Sequence, residues 1–176
     1  KSWQVEGQKF TGYIDNASSG ENYGLEIEGS FQATDNLLLT GSAGYLNTEI
    51  NDFVAQSGLD QDGRDQAQAP KYQYAFTARY NFTPALYASI GVEGKDDYYF
   101  SDSHNSKAPS SNLVNASFGY ESDNWSINAW ARNLFDEDVP TRGFEFGNDP
   151  LDGYTTHTYT QLGEPMVAGV TFIYEL

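Results

Sequence analysis

Tyr72-Gln73-Tyr74-Ala75-Phe76-Thr77-Ala78-Arg79-Tyr80-Asn81-Phe82 alternates along its whole length. Tyr72, Tyr74, Phe76, Ala78, Tyr80 and Phe82 share one side, and Gln73, Ala75, Thr77, Arg79 and Asn81 share the other. Successive side chains of a β-strand point to opposite faces, so this segment is one apolar wall backed by one polar wall. Its length, residues 72 to 82, suits the roughly 9–11 residues that a tilted strand needs to cross a bilayer.

The same period recurs on either side of this segment. Leu25, Ile27, Gly29, Phe31 and Ala33 alternate with Glu26, Glu28, Ser30 and Gln32. Leu37, Leu39, Gly41, Ala43 and Tyr45 do so next, then Leu86, Ala88, Ile90 and Val92, then Val114, Ala116, Phe118 and Tyr120. Trp125, Ile127, Ala129 and Ala131 follow, and Met166, Ala168, Val170, Phe172, Tyr174 and Leu176 close the series. The helical period is almost absent, so the fold is all-β with about seven antiparallel strands and a possible stub near residues 3–8.

Connection lengths separate one kind of all-β protein from another. Short turns at 34–36, 83–85 and 122–124 alternate with long polar stretches at 51–71, 101–112 and 136–165. An up-and-down membrane barrel has short periplasmic turns at one rim and long extracellular loops at the other. A soluble sandwich mixes the two lengths through its Greek-key crossovers. Rings stand where strands end, at Tyr72 and Phe82, at Tyr98, Tyr99 and Phe100, and at Trp125 and Phe135, as the aromatic girdles of a membrane barrel require.

Composition agrees. The mean hydropathy is -0.59, and no apolar run reaches the roughly 18 residues of a membrane helix. Yet the chain carries 13 Tyr and 11 Phe, a mixture that fits strands in which only every second residue meets lipid. With 9 basic and 25 acidic residues the formal net charge is -16, which argues against a nucleic-acid partner. Cysteine is absent, so neither a disulfide framework nor thiolate chemistry arises. No signal-peptide pattern opens the chain, so any targeting signal is absent or already removed.

Few residues invite a chemical reading. His104 and His157 fall in connections without companion ligands at metal-binding spacing and read as solvated loop histidines. In Asp60-Gln61-Asp62-Gly63-Arg64-Asp65 the EF-hand pattern fails, since the sixth position is Asp65 rather than Gly and the twelfth is Lys71 rather than Glu. Glu26, Glu28, Arg79 and Arg132 read as groups of the polar wall that set its field. No nucleophile elbow or spaced triad is present, so the reading is not an enzyme, with no cofactor and no metal. Arg142, Tyr154 and Tyr159 in the last long connection are the ligand-contact candidates, because loops on a rigid scaffold commonly carry function. The alternation of Phe144 and Phe146 suggests that a wall strand continues above the membrane before turning.

Four strings resemble the C-terminal region of TonB-dependent outer-membrane receptors. These are Ile14-Asp15-Asn16-Ala17 followed by Tyr23-Gly24-Leu25-Glu26-Ile27-Glu28-Gly29, then Ala69-Pro70 before the Tyr72 strand, then Asn133-Leu134-Phe135-Asp136, and finally Gly163-Glu164-Pro165-Met166 with Gly169-Val170-Thr171-Phe172-Ile173-Tyr174. Met166 and Leu176 stand where that family usually has an Arg and a terminal aromatic residue. The resemblance implies that residues 1–176 are about 7–8 strands of a larger transmembrane barrel, whose plug domain and earlier strands lie outside this sequence. It further implies the outer membrane of a Gram-negative bacterium and a TonB complex reached through the plug. The implied cargo is a small scarce ligand of the ferric-siderophore type, although cobalamin, haem and oligosaccharide receptors share the architecture. Two other readings remain open at this point: a small self-contained outer-membrane barrel acting as anchor or adhesin, and a soluble β-sandwich binding module.

Overall fold

The computed structural model describes residues 19–54 and 58–175, and the stub near residues 3–8 lies outside them. In chain order the strands are β1 (Ser19–Thr34), β2 (Leu37–Asn51), β3 (Tyr72–Asn81), β4 (Leu86–Lys95), β5 (Tyr98–Tyr99), β6 (Lys107–Ala108), β7 (Ser111–Glu121), β8 (Trp125–Arg132), β9 (Pro140–Phe146), β10 (His157–Leu162) and β11 (Val167–Tyr174). Seven of them form one sheet in the order β1-β2-β3-β4-β7-β8-β11, each pair antiparallel. The strands therefore follow one another around a wall, as an up-and-down barrel requires. Among the described residues β1 and β11 are each paired on one side only.

Short turns hold the wall at one rim, and two of them share a chemical device. Thr34 Oγ1 accepts from the backbone N–H groups of Asn36 and Leu37, and Thr83 Oγ1 accepts from those of Ala85 and Leu86. A hydroxyl that satisfies the turn's own amides lets the chain reverse within a few residues.

Register carries the alternation from strand to strand. Leu39 stands opposite Ala78, Ala78 opposite Ile90, and Ile90 opposite Ala116, so the apolar sets share one face. That face has no cover. Leu25 is 72% exposed, Phe31 66%, Val170 67% and Phe172 61%, far beyond the isolated apolar residues of a soluble surface. No helix among the described residues is long and apolar enough to cross a membrane.

Rings border the apolar face. At the short-turn rim Tyr80 packs on Phe82 with centroids 5.0 Å apart, Phe82 lies 6.4 Å from Phe118, and Trp125 lies 5.2 Å from Tyr120 and 6.1 Å from Phe172. At the opposite rim Tyr45 stands directly across from Tyr72. A strand rising about 3.3 Å per residue covers roughly 33 Å between Tyr72 and Phe82, or about 25 Å of height at a barrel's usual tilt. That height matches the apolar band of an outer-membrane barrel.

Glycines seat several rings. Gly41 faces Phe76, Gly94 faces Tyr74, Gly119 faces Tyr87 and Gly169 faces Trp130, each as a direct cross-strand pair. A Cβ on Gly169 would stand 2.7 Å from Trp130 Cζ2, and one on Gly119 would fall on the Tyr87 ring. The ring covers the bare backbone and regains the packing that a glycine forgoes.

The segment Asn133-Leu134-Phe135-Asp136 ends β8 and staples it to β11. Asn133 and Asp136 take positive φ, 48° and 55°, which breaks the strand. Asn133 Nδ2 donates to the carbonyls of Glu137 and Glu164, its Oδ1 accepts from the Glu137 N–H, and Asp136 Oδ1 accepts from the Met166 N–H at 2.7 Å. Because of this break, Phe144 and Phe146 do not continue a wall strand, contrary to the reading of their alternation. They belong to β9, which pairs only with β10 in a separate two-stranded sheet.

Two outcomes test this account. In the full-length protein, Gly119→Val displaces the Tyr87 ring and lowers unfolding stability by about 1–3 kcal/mol, the usual cost of overpacking. A lowered temperature for the loss of folded mobility on gels is the measurement. Asn133→Ala strips two carbonyls and one N–H of partners and costs about 1–3 kcal/mol. Chemical denaturation followed by Trp fluorescence reads that loss.

Candidate functional site

All the long connections gather at one rim, and the described residues with buried apolar side chains are found there. Segment 58–71 folds back on the end of β2, with Ile50 N–H donating to the Arg64 carbonyl and Gly63 N–H donating to the Ile50 carbonyl. Ile50 and Phe53 form a small core with Leu59 against them. Segment 96–110 carries the β5–β6 hairpin, and Tyr98, Phe100 and Ala108 form a second core. Tyr98 and Phe100 therefore serve as core rings of the connection and not as girdle rings. The chain leaves the wall after Lys95, before these rings could meet lipid.

Two cations lie over the Tyr99 ring. Arg64 Cζ stands 4.0 Å from its centroid and Lys107 Nζ 4.4 Å. Arg64 is buried and donates to the Ser101 and His104 carbonyls and to Asn105 Oδ1. Burial pushes its guanidinium below the ordinary range, and Asp102 and Tyr99 oppose that shift. Lys107 is held above its usual range, chiefly by the hydrogen bond to Asp97 at 2.8 Å.

His104 is buried, contrary to its reading as a solvated loop residue. It packs between segments, its Nδ1 accepts from the Ser106 N–H, and Glu145 Oε1 lies 3.9 Å away. His157 is exposed and sits 2.7 Å from Asp152 Oδ2. In the acidic run, Asp60 Oδ1 accepts from the Asp62 N–H, Asp62 Oδ1 from the Asp52 N–H, and Asp65 pairs with Lys71 at 3.2 Å. These carboxylates shape the segment. Among the described residues no three His, Asp or Glu side chains converge as metal ligands.

The last connection rises as the β9–β10 hairpin, with a 3-10 turn at Pro150–Asp152. One face of the hairpin turns to segment 96–110. A Cβ at Gly143 would meet the Phe100 ring, and Ser106 Oγ donates to Glu145 Oε1 at 2.6 Å. The other face carries two of the three ligand-contact candidates. Phe144 stands opposite Tyr159 with rings stacked 5.7 Å apart, and Arg142 stands opposite Gln161 two residues along. Arg142 is exposed and has no ion pair or hydrogen bond among the described residues. Tyr159 donates to Asn148 Oδ1 at 3.0 Å. Tyr154 lies at the tip with φ 61°, 64% exposed, apart from the other two. Sequence reasoning missed Phe144 and Phe146 as neighbours of Arg142 on this face, although their i, i+2 spacing with it carried the signal.

Below the loops, the polar face of the wall forms a concavity of about 880 Å³. Glu26, Glu28, Glu93 and Glu164 line it with Lys95 and Arg132, so it is net acidic. Arg132 pairs with Glu164 at 2.7 Å and lies over the Trp130 ring, while Asn115 donates to Glu93. Nearer the short-turn rim, Arg79 stands 3.6 Å from the Tyr87 centroid and 3.3 Å from Glu121. Of the four polar-wall residues singled out in the sequence, Glu26, Glu28 and Arg132 line the concavity and Arg79 lies toward the short-turn rim; both cations are ion-paired. The arrangement presents charged and amide side chains to an open, water-accessible concavity.

This wall recurs in solved structures. The ferric yersiniabactin uptake receptor FyuA of Yersinia pestis aligns with a TM-score of 0.72 at 16% identity, over 88% of this chain and 23% of that one. The siderophore receptor PiuA of Acinetobacter baumannii aligns at 0.67 and 20% identity, over 88% and 21%. The ferric-catecholate import receptor Fiu of E. coli K12 aligns at 0.62 and 20% identity, over 87% and 20%. The chain therefore spans under a quarter of the length of each of these receptors. The family model described as TonB dependent receptor-like, beta-barrel, matches residues 3–134, three quarters of the sequence. A strand-by-strand wall with one bare apolar face, short turns at one rim and long loops at the other is the form of that family, and the chain belongs to the TonB-dependent receptor β-barrels.

Proposed function

We propose that residues 1–176 are the C-terminal part of an outer-membrane receptor that takes up a ferric siderophore, with energy supplied by the TonB complex through a plug domain outside this sequence. The observation that carries this reading is the uncovered apolar face of a wall whose other face is polar and concave. Lipid suits the first face, and a water-filled or plugged lumen suits the second. The names of three structural relatives, each a siderophore or ferric-chelate receptor, support the choice of cargo. In this reading the short-turn rim faces the periplasm and the long loops face outward. Arg142 and Tyr159 meet the cargo on the hairpin, and Tyr154 meets it at the tip.

Among the described residues β1 and β11 each leave one edge unpaired, which sets a structural condition. Backbone groups at an unpaired edge find no partner in hydrocarbon, so the remaining strands of a larger barrel must close onto both. The 176 residues expressed alone therefore yield no species that migrates as a folded barrel on unheated gels, whereas the full-length protein does.

Uptake of radiolabelled iron carried by siderophores, in iron-starved source cells, tests the function. Loss of uptake both on deleting the gene and on deleting the TonB gene is the expected outcome. Undiminished uptake of every siderophore tested after deletion of the gene would overturn the reading. Arg142→Ala and Tyr159→Ala should each weaken binding of the transported chelate about tenfold, the scale of an interface anchor losing roughly 1.4 kcal/mol. Equilibrium binding to the purified receptor measures it.

A further inference from the structure

The three long connections touch through one intermediary, segment 96–110. On one side it receives segment 58–71. Arg64 donates to Ser101, His104 and Asn105, the Gln61 amide donates to the Asp102 carbonyl, and Gln68 Nε2 donates to the Phe100 carbonyl at 2.9 Å. On the other side it receives the β9–β10 hairpin. Ser106 Oγ lies 2.6 Å from Glu145 Oε1 and 3.0 Å from Thr158 Oγ1, and Tyr98 donates to the Thr141 carbonyl at 3.4 Å. Two residues serve both joints. The Phe100 carbonyl holds Gln68 while its ring fills the hollow at Gly143, and the His104 carbonyl holds Arg64 while its ring faces Glu145.

The energetics make the first joint hard to open alone. Every hydrogen bond of the buried Arg64 side chain among the described residues ends on segment 96–110. Separating the two segments strips a guanidinium of its acceptors and those carbonyls of their donor, at a cost well above that of an exposed ion pair. Segment 96–110 in turn cannot shift without pulling Phe100 from the Gly143 hollow and Ser106 from Glu145.

We propose that segments 58–71, 96–110 and 140–162 open and close as one body, a cap with Arg64 at one joint and Ser106 with Glu145 at the other. A contact made on the last hairpin is then felt at segment 58–71, which the hairpin does not touch through any of these bonds. The proposal rests on the loop geometry alone, so a failed uptake assay leaves it standing and the exchange experiment below judges it separately.

Hydrogen exchange followed by mass spectrometry on the full-length receptor tests it. Arg64→Ala should speed exchange about tenfold or more in 58–71 and 96–110 and also in 140–162, which Arg64 does not contact, while strand amides of 72–95 hold their rates. Faster exchange confined to 58–71 and 96–110 would overturn the proposal. Should that variant fail to fold, a disulfide made by Ser106→Cys with Thr158→Cys gives the converse test. These side-chain oxygens are 3.0 Å apart, and the 176 residues contain no cysteine. Oxidised, this cross-link should slow exchange in 58–71 several-fold relative to its reduced form. Unchanged rates in 58–71 would show that the segments move independently.

Discussion

A strand in hydrocarbon has no water to satisfy its N–H and C=O groups, so each must find its partner on a neighbouring strand. The organisation of the wall follows from this constraint. Each wall strand pairs with the next wall strand in sequence, because a short turn or a local loop delivers the partner with the least loss of chain entropy. The same constraint bears on β1 and β11, which pair on one side only among the described residues: an edge inside a membrane has to belong to a closed ring of strands.

Once pairing is obligatory, register decides chemistry. A slip of one residue would turn Tyr74, Phe76 and Ala78 inward and send Gln73, Thr77 and Arg79 into lipid. Direct pairing of Gly41 with Phe76, Gly119 with Tyr87 and Gly169 with Trp130 opposes such a slip, because each ring lies over a partner that has no Cβ. Tyr87 joins this to electrostatics, since its ring covers Gly119 on one strand and carries Arg79 from another. The inner face is thereby furnished with charges whose positions are set by backbone pairing.

Above the wall the solvent changes and so does the architecture. The long connections stand in water, where apolar side chains gain by hiding, and the small clusters of Ile50 with Phe53 and of Tyr98, Phe100 and Ala108 form there. The protein is thus built in two styles, a coreless wall stabilised by lipid and pairing, and a cap with cores of its own. Arg64 belongs to the second style. It is the single cation of an otherwise acidic run, and its burial against Tyr99 and three acceptors gives segments 58–71 and 96–110 a common interior.

The alternation of Tyr72 to Phe82 and of its neighbours determined the strands, their two faces and the short-long order of connections, because a period of two is a local property of the extended chain. The position of the last hairpin was not local in this sense. Phe144 and Phe146 alternate as a wall strand does, and only the break at Asn133 and Asp136, held by contacts to Glu164 and Met166 some thirty residues on, detaches them. His104 and Arg64 likewise read as members of polar loops. Tertiary structure buried them, because a loop's interior is made by a second loop distant in sequence, and no window of residues contains both. The grouping of Arg142 with Phe144 and Tyr159 was half visible: the i, i+2 spacing placed Arg142 beside Phe144, but the strand that brings Tyr159 across from them is chosen by the hairpin's register.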